Sequence, residues 1–379
     1  MKLVVTATWV ALVVLCLVGT APWVAAVPPT WSWDTLQTFV HCSNKSGPLN
    51  PQITELMSNS SFTVLEKYQC LDCAPERTGG EDKVLAAAAA IRALNPTAPV
   101  FFYFAIDYAR TWYTLGGAFD EQPNLEVHNA DGTLANVTND DNGHNVWRVF
   151  DFAVPAALSK WADGVAAVVH EGGLDGVFID GYRDPPAWTT GLIPRASAAE
   201  QAAWLDAAWN KTGVALAAAL PPAALLLPNG NPLTAAPPPG YNAVSIEFFE
   251  PSVASIALLQ TLAENRSFVE VHAYIGDNRA LFEATLAAYL VGFGEGAYWG
   301  AGNTWDTCES WLVDWQLAQY WKPLGQPHGV AKAASRGGGT QYTRSFATGT
   351  RVDLWVPGQG GNRLSCIRWA DGSELGNAC

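Results

Sequence analysis

Two carboxylate side chains stand at the ends of apolar segments that are long enough to be β-strands. Asp180 follows Val177-Phe178-Ile179 within "GGLDGVFIDGYRDPP", and Glu247 lies within "NAVSIEFFEPS". An aspartate can simply cap a turn, but a glutamate inside an apolar strand is costly unless it is hydrated or paired. Two facing carboxyl groups are the minimum requirement for glycoside hydrolysis. One protonates the leaving oxygen, and the other attacks the anomeric carbon or activates water.

Further polar side chains alternate with apolar ones in "FVEVHAYIG". Period-two alternation puts them on one face of a strand, as expected either for a polar core network or for a binding site. Aromatic rings near strand ends can cover the apolar faces of sugars. The predicted substrate-binding residues are Asp107, Tyr108, Tyr182, Arg183, Glu270, His272, Tyr274 and Trp299.

Other chemistries have weaker support in the sequence. The six histidines are scattered without an HExxH motif, and "NDDNG" lacks the spaced acids of a calcium loop, so we predict no metal site and no cofactor. Cys70-Leu-Asp-Cys73 could be half of a zinc or redox site, but no second CxxC follows. Arg183 and His272 leave a polysaccharide lyase or deacetylase open as a third alternative.

The elements that position these residues follow an alternating pattern of strands and helices, which indicates a parallel sheet. Eight such strands match a (β/α)8 TIM barrel, an α/β fold with catalytic groups at the carboxyl ends of its strands. A doubly wound sheet is the competitor, but the chain lacks GxGxxG after its first strand, GxxxxGK[ST] and GxSxG. The predicted strands are 36–41, 62–68, 100–107, 176–180, 224–227, 243–249, 268–274 and 297–299.

The pattern changes near the C-terminus. We predict a barrel domain over residues 27–325, a Gly-, Ala- and Arg-containing linker over 326–339, and a small all-β appendage over 340–379 with short alternating strands. Cys366 and Cys379 could tie this appendage down.

The N-terminus predicts secretion. Residues 1–26 resemble a signal peptide, with Lys2 before an apolar run that is short for a membrane span and Val24-Ala25-Ala26 as a cleavage site; a signal anchor is the alternative. Removing them leaves six of the seven cysteines, an even number that indicates disulfides, although fifteen pairings are possible. Five glycosylation sequons begin at Asn44, Asn59, Asn136, Asn210 and Asn265.

Charge restricts the partners. The chain carries 21 basic and 35 acidic residues, a net charge of −14. Loss of residues 1–26 removes Lys2 and no acid, leaving 20 − 35 = −15. An acidic protein is a poor candidate for binding nucleic acid or anionic membranes. We expect a carbohydrate partner and no stable membrane insertion.

The motif "LDGVFIDGY", followed by "VSIEFFE", resembles the glycosyl-hydrolase-like (β/α)8 barrel family. More distantly, it is similar to the endo-α-1,4-polygalactosaminidase and spherulin-type barrels. The likeness spans residues 36–302 and includes "WRVFDFAVPAALSKWADGV", which resembles the family's helix before the fourth strand. This resemblance implies Asp180 and Glu247 as the catalytic pair. It implies no particular substrate, and other acids, Asp184, Glu250 and Glu270, leave the partner of Asp180 open.

The sequence therefore predicts a secreted, cofactor-free glycoside hydrolase, located outside the cell or in the lumen of the secretory pathway. Asp180 would be the nucleophile or base, and Glu247 the acid. The alternative is a non-catalytic carbohydrate-binding or cell-wall protein on the same barrel, since fold alone does not fix function.

Overall fold

The computed structural model describes residues 29–73, 79–106, 110, 112–129, 131–138, 146–181, 199, 203–204, 206–229, 237–358 and 361–379. Eight parallel strands form the central sheet, in the order β1-β2-β3-β6-β7 followed by β8-β9-β10. They are β1 Phe39–Cys42, β2 Phe62–Leu65, β3 Val100–Ala105, β6 Gly176–Asp180, β7 Leu225–Pro228, β8 Ala243–Ile246, β9 Phe268–Ala273 and β10 Ala297–Ala301. A short hairpin, β4 Asn136–Thr138 with β5 Val146–Arg148, lies in the connection between β3 and β6.

The sheet closes into a (β/α)8 barrel. Trp299 N donates to Gln37 O over 2.8 Å, and Thr38 bridges Trp299 in parallel, which joins β10 to β1. Between β7 and β8 the side chain of Asn242 makes the connection: it donates to Ala224 O over 2.9 Å and accepts from Leu226 N over 2.8 Å. The predicted fold class is confirmed.

Helices cover the outside of the barrel. They are α1 Pro51–Asn59, α2 Gly80–Leu94, α3 Thr114–Asp120, α4 Pro155–Gly172, α5 Thr212–Ala219, α6 Val253–Glu264, α7 Arg279–Gly292 and α8 Asp314–Tyr320. Several begin at side-chain caps that satisfy free backbone N–H groups. Asn50 accepts from Ile53 N at α1, Ser252 from Ser255 N at α6, and Asn278 from Leu281 N at α7.

Several element boundaries differ from those predicted. The sixth barrel strand ends at Ile246, because Glu247 and Phe248 form a turn before Phe249 N returns to bond His272 O over 2.8 Å. Phe249 therefore lies beyond the strand, which was predicted to run from 243 to 249. Helix α1 was not predicted, although Asn50-Pro51 is a start signal for a helix.

The C-terminal part is an antiparallel sheet of five strands in sequence order. They are β11 Lys332–Arg336, β12 Gly339–Ser345, β13 Arg351–Pro357, β14 Leu364–Arg368 and β15 Glu374–Leu375. Strand β11 lies within the segment 326–339 that the sequence indicates as a linker. One face of the sheet is buried against the barrel helices, and the Arg344 guanidinium anchors it by donating to Leu290 O and Phe293 O of the α7 end over 3.0 and 2.6 Å.

All six cysteines that follow the predicted signal peptide form disulfides: Cys42–Cys308, Cys70–Cys73 and Cys366–Cys379. The first joins the end of β1 to the loop after β10, and the last fixes the C-terminus on the small sheet. The pairing of Cys70 with Cys73 is a local cross-link, and in this form neither sulfur is a thiolate that could bind zinc. Within the described ranges, no helix combines the length and apolar character needed to cross a bilayer.

Candidate active site

Asp180 and Glu247 meet at the carboxyl ends of β6 and β8. Gly181 turns the chain at φ +80, a left-handed conformation that glycine adopts without strain, so the Asp180 carboxyl group stays at the strand end. Asn229, directly after β7, lies between them: its Nδ2 donates to Asp180 Oδ1 over 2.9 Å and to Glu247 Oε2 over 2.7 Å. These two oxygens are therefore separated by at most the sum of those distances, about 5.6 Å.

Asp180 is held ionised by its surroundings. Tyr103 Oη donates to its other oxygen, and Tyr103 Oη in turn accepts from Lys67 Nζ and Arg110 Nη2, each over 3.3 Å. Burial alone would raise the pKa of Asp180. The charge of Lys67, the Tyr103 hydrogen bond and the charge of Arg110 outweigh burial and lower this pKa below its ordinary value.

Glu247 has the opposite balance. Tyr274 Oη donates to Glu247 Oε1 over 2.6 Å, and Asn229 bonds the other oxygen. Burial raises the pKa of Glu247, and the negative charge of Asp180 raises it further; the bonds from Tyr274 and Asn229 offset this only in part. Two neighbouring carboxyl groups with pKa values pushed apart are the arrangement in which one group serves as acid and the other stays ionised.

A charged network lies below this pair inside the barrel. His41 is fully buried, with Nε2 3.1 Å from Glu66 Oε1 and Nδ1 3.6 Å from Glu270 Oε1. Burial alone would lower the pKa of His41, but Glu270 and Glu66 raise it to about 9. Glu66 also binds Lys67 Nζ over 3.0 Å. Ion pairs thus connect His41 to Lys67, the cation that acts most strongly on Asp180.

Three buried side chains of this network could offer ligands to a cation. Among the described residues, single donor atoms of His41, Glu270 and His272 lie within 4.8 Å of one another. His272 is neutral, because burial and the charge of His41 lower its pKa to about 3, while its Nε2 lies 2.9 Å from Gly302 O. A metal at this position would have to displace the His41 proton that pairs with Glu66 and Glu270.

Aromatic side chains line the opening above the pair. The Phe248 ring is 55% exposed and stacks on Tyr274, with centroids 4.4 Å apart and planes at 23°. Its backbone has φ +58, an unfavourable left-handed conformation for a bulky residue. Trp305 lies edge-on to Tyr274 at 5.2 Å. An exposed aromatic ring beside the two carboxyl groups is a suitable surface for a sugar ring.

The predicted binding residues divide into three groups. Tyr274 contacts Glu247, and His272 stacks behind Tyr274 with centroids 4.4 Å apart. Glu270 is buried in the ion cluster, and Trp299 is buried against Phe282 and Tyr289 of α7, so neither side chain reaches the opening. The remaining four, Asp107, Tyr108, Tyr182 and Arg183, lie outside the described residues.

Several residues of the site were not assigned to it from the sequence. Asn229 stands in "LLLPNG", where Asn-Gly is an ordinary turn signal. Its position directly after a predicted barrel strand was the one indication in the sequence that Asn229 belongs to the site. Lys67 and Arg110 resemble any exposed base in sequence, and Phe248 resembles any apolar residue of a buried strand.

The fold and the site define a class of protein: a (β/α)8 barrel with two carboxyl groups, whose pKa values are shifted in opposite directions, at the carboxyl ends of its strands. Residues 92–350 match the profile of the family described as "Hypothetical glycosyl hydrolase family 15". This match covers more than half of the chain, and the protein belongs to this family. It is a glycoside hydrolase. No curated protein matches its sequence significantly.

Three of the solved structures that the chain resembles share little sequence identity with it. The glycoside hydrolase domain of PelA from Pseudomonas aeruginosa is 15% identical, with 68% of this chain and 92% of that chain aligned and a TM-score of 0.40. A cyclic α-maltosyl-(1→6)-maltose hydrolase from Arthrobacter globiformis is 12% identical over 93% of both chains, with a TM-score of 0.49. Aspergillus fumigatus Ega3, in complex with galactosamine, is 10% identical over 75% of this chain and 97% of that chain, with a TM-score of 0.43.

Proposed function

We propose that this protein is a secreted glycoside hydrolase that cleaves a polysaccharide or oligosaccharide with Asp180 as nucleophile and Glu247 as general acid. The observation that carries the proposal is the contact of both carboxyl groups with Asn229 Nδ2, combined with pKa shifts of opposite sign. A nucleophile must be ionised and an acid protonated at the start of the reaction. The surroundings of Asp180 and Glu247 favour these two states respectively.

In the proposed mechanism Glu247 donates its proton to the glycosidic oxygen while Asp180 attacks the anomeric carbon. This forms a glycosyl ester on Asp180 and releases the leaving group. Glu247, now ionised, takes a proton from water as the water attacks the anomeric carbon and frees Asp180. Asn229 holds both carboxyl groups in register, and Tyr274 orients the Glu247 carboxyl group.

The spacing favours retention of anomeric configuration. Retaining glycosidases have carboxyl groups about 5–5.5 Å apart, whereas inverting ones leave about 6.5–9.5 Å for a water molecule. The Asp180 and Glu247 oxygens that share Asn229 lie at most about 5.6 Å apart. We therefore expect NMR of the first-formed product to show the anomer of the substrate. Accumulation of the opposite anomer would exclude Asp180 as nucleophile.

Secretion is supported by the three disulfides and by the placement of the sequons. Asn59, Asn210 and Asn265 are exposed in the folded protein, as N-linked glycans require. Disulfides form and persist in oxidising compartments. The signal peptide at residues 1–26 remains a prediction from the sequence.

The catalytic roles are tested with two variants and two kinds of leaving group. Glu247→Gln should lower kcat/KM by about 10²-fold or more on an unactivated glycoside, because the leaving oxygen then lacks its acid. On an aryl glycoside with a good leaving group the first step should be nearly unaffected. Asp180→Asn should abolish turnover of both, after a panel of polysaccharides and aryl glycosides has identified a substrate of the wild type.

Matched controls are present in the chain. Glu250 and Asp163 are exposed carboxylates, and Glu250→Gln and Asp163→Asn should retain wild-type rates. Equal losses on the two leaving groups for Glu247→Gln would remove Glu247 from the acid role. Retained turnover in Asp180→Asn would remove Asp180 from the nucleophile role.

A further inference from the structure

The C-terminal sheet has an outer face that does not pack on the barrel. Alternation along β12, β13 and β14 buries Tyr342, Leu354 and Ile367 on the inner face. The residues at the alternate positions of these strands and of β11 and β15 point to the other side of the sheet. We call this side the outer face; it consists of Lys332, Ala334, Arg336, Gln341, Thr343, Arg351, Asp353, Trp355, Leu364, Cys366, Arg368 and Glu374. Part of it forms a groove of about 640 Å³.

The outer face is basic in an acidic protein. It carries four basic side chains, Lys332, Arg336, Arg351 and Arg368, and two acidic ones, Asp353 and Glu374, a net charge of 4 − 2 = +2. The whole chain has a net charge of −14. The charge of this face is therefore opposite in sign to that of the protein as a whole.

Two of the four basic side chains, Arg351 and Arg368, are held in place at the groove by acidic partners. Arg351 binds Asp353 through two hydrogen bonds, Nε to Oδ2 over 2.9 Å and Nη2 to Oδ1 over 3.0 Å. Arg368 bridges Asp353 and Glu374 over 3.4 and 3.1 Å. Within the described part of the chain, Lys332 and Arg336 have no acidic side chain within ion-pair distance. Their charges are free to meet an anion.

Trp355 provides a flat apolar surface in the same groove. Its Nε1 donates to Arg336 O over 2.9 Å, which fixes the ring, and the indole lies close over Gly339, where a Cβ would approach Trp355 Cε2 to 2.9 Å. Glycine thus makes room for one side of the ring. The neighbouring Leu364, paired with Trp355 across the ladder, is 44% exposed and extends the apolar surface.

We propose that the outer face is an accessory binding site for an anionic polysaccharide, such as one built of uronic acids, which it holds while the barrel cleaves. That the bound polysaccharide is also the substrate rests on the proposed function. That the outer face binds an anionic sugar polymer rests only on the side chains of that face. A pyranose ring stacks on Trp355, and the planar guanidinium groups match carboxylates along the chain. Salt should weaken the contact, because exposed charges are screened over about 3 Å at 1 M ionic strength.

The probes are polygalacturonate and the same polymer with its carboxylates methyl-esterified, which differ in charge but not in backbone. Retention is measured by affinity electrophoresis of the Asp180→Asn variant, so that hydrolysis does not degrade the polymer. We expect strong retention by polygalacturonate, little by the ester, and loss of retention in 1 M salt. Trp355→Ala and Arg336→Ala should each weaken retention at least about fivefold, the scale of one aromatic contact.

The controls are an exposed tryptophan and an ion-paired arginine away from the outer face. Trp321 is 52% exposed and Arg279 pairs with Glu283. Trp321→Ala and Arg279→Ala should bind as the parent does. All four variants, made on the otherwise wild-type chain, should retain wild-type kcat on a small aryl glycoside.

Three results would overturn the proposal: no retention by polygalacturonate, equal retention by both polymers, or equal effects of the test and control substitutions. Equal retention by both polymers would indicate a face for neutral sugars. Failure of hydrolysis on every substrate would reject the proposed function and leave this binding result intact.

Discussion

At the scale of the residue, two carboxyl groups in contact with one amide have pKa values shifted in opposite directions because their other neighbours differ. Asp180 faces Lys67, Arg110 and the Tyr103 hydroxyl. Glu247 faces the Tyr274 hydroxyl and the charge of Asp180 itself. In the proposed mechanism the active form has Asp180 ionised and Glu247 protonated, so activity should fall on both sides of a pH optimum.

Lys67→Met tests the origin of the acid limb of that pH profile. Activity is lost as pH falls through the lowered pKa of Asp180 and as pH rises through the raised pKa of Glu247. Removing the largest charge that lowers the Asp180 pKa should move the acid limb of kcat/KM to higher pH. The exposed Lys211 provides the control, since Lys211→Met should leave the profile unchanged. An acid limb that does not move in Lys67→Met would contradict the role of Lys67. Because the two groups interact, both limbs belong to the pair.

Phe248 combines a strained backbone with an exposed ring next to Glu247, and substitutions can separate the two. Phe248→Ala and Phe248→Gly both remove the ring and should raise KM for an oligosaccharide several-fold, at unchanged kcat on a small aryl glycoside. Only glycine relieves the left-handed conformation. The glycine variant should therefore be more stable than the alanine variant by about 1 kcal/mol.

Denaturation midpoints measure the effect on stability, and KM values measure the effect on sugar binding. Phe248→Trp should retain KM, and a wild-type KM in Phe248→Ala would exclude a sugar contact.

At the scale of the element, the seam between β7 and β8 lies directly beneath the site. Asn229 follows β7 and Glu247 follows β8, so their separation depends on how these two strands are joined. The Asn242 side chain makes two hydrogen bonds across this seam, to Ala224 O and Leu226 N. Asn242, the residue directly before β8, thus fixes the register of β7 and β8, the strands that carry Asn229 and Glu247 at their ends.

Asn242→Ala should destabilise the protein by about 1–3 kcal/mol, because it leaves two buried backbone groups without their partner. It should also lower kcat, since the spacing between Asn229 and Glu247 is no longer fixed from below. Urea unfolding and steady-state kinetics measure the two effects. Asn377→Ala is a matched control, because Asn377 also makes two side-chain-to-backbone bonds but lies in the C-terminal sheet. A kcat loss of the same size in both variants would show that the seam has no special role.

At the scale of the whole molecule, the three disulfides differ greatly in the length of chain they enclose. Cys42–Cys308 spans 266 residues and closes the barrel beside the β10–β1 junction, whereas Cys70–Cys73 spans only 3. In the chain-entropy account, stabilisation increases with the length of the closed loop.

Replacing Cys42 and Cys308 by serine should therefore cost about 2–5 kcal/mol. Replacing Cys70 and Cys73 should cost clearly less. Guanidinium unfolding of the two double variants measures both losses of stability. The variant without Cys70 and Cys73 is the control, because it also replaces two cysteines by serine. If the variant without Cys42 and Cys308 does not fold, the wild type can be partially reduced instead. Selective loss of the Cys42–Cys308 disulfide should then lower the melting temperature. Equal stabilities would contradict the dependence on loop length.

The sequence alone determined the features that depend on local pattern. Apolar runs of strand length at helix-sized intervals indicate a parallel sheet, and eight of them match a barrel. Asp180 at the end of β6 and the strand β6 itself were predicted at their observed positions, because burial ends where the strand reaches the open face. The apolar residues on both sides of Glu247 likewise indicated that its carboxyl group must be hydrated or paired.

The tertiary structure decided what depends on distant neighbours. Asn229 is 49 residues from Asp180 and 18 from Glu247, and no local pattern links these three. Cysteine pairing and the burial of Trp299 depend on how helices pack on the barrel. The protonation states depend on the same packing, because charge interactions act across short distances in space at any separation along the chain.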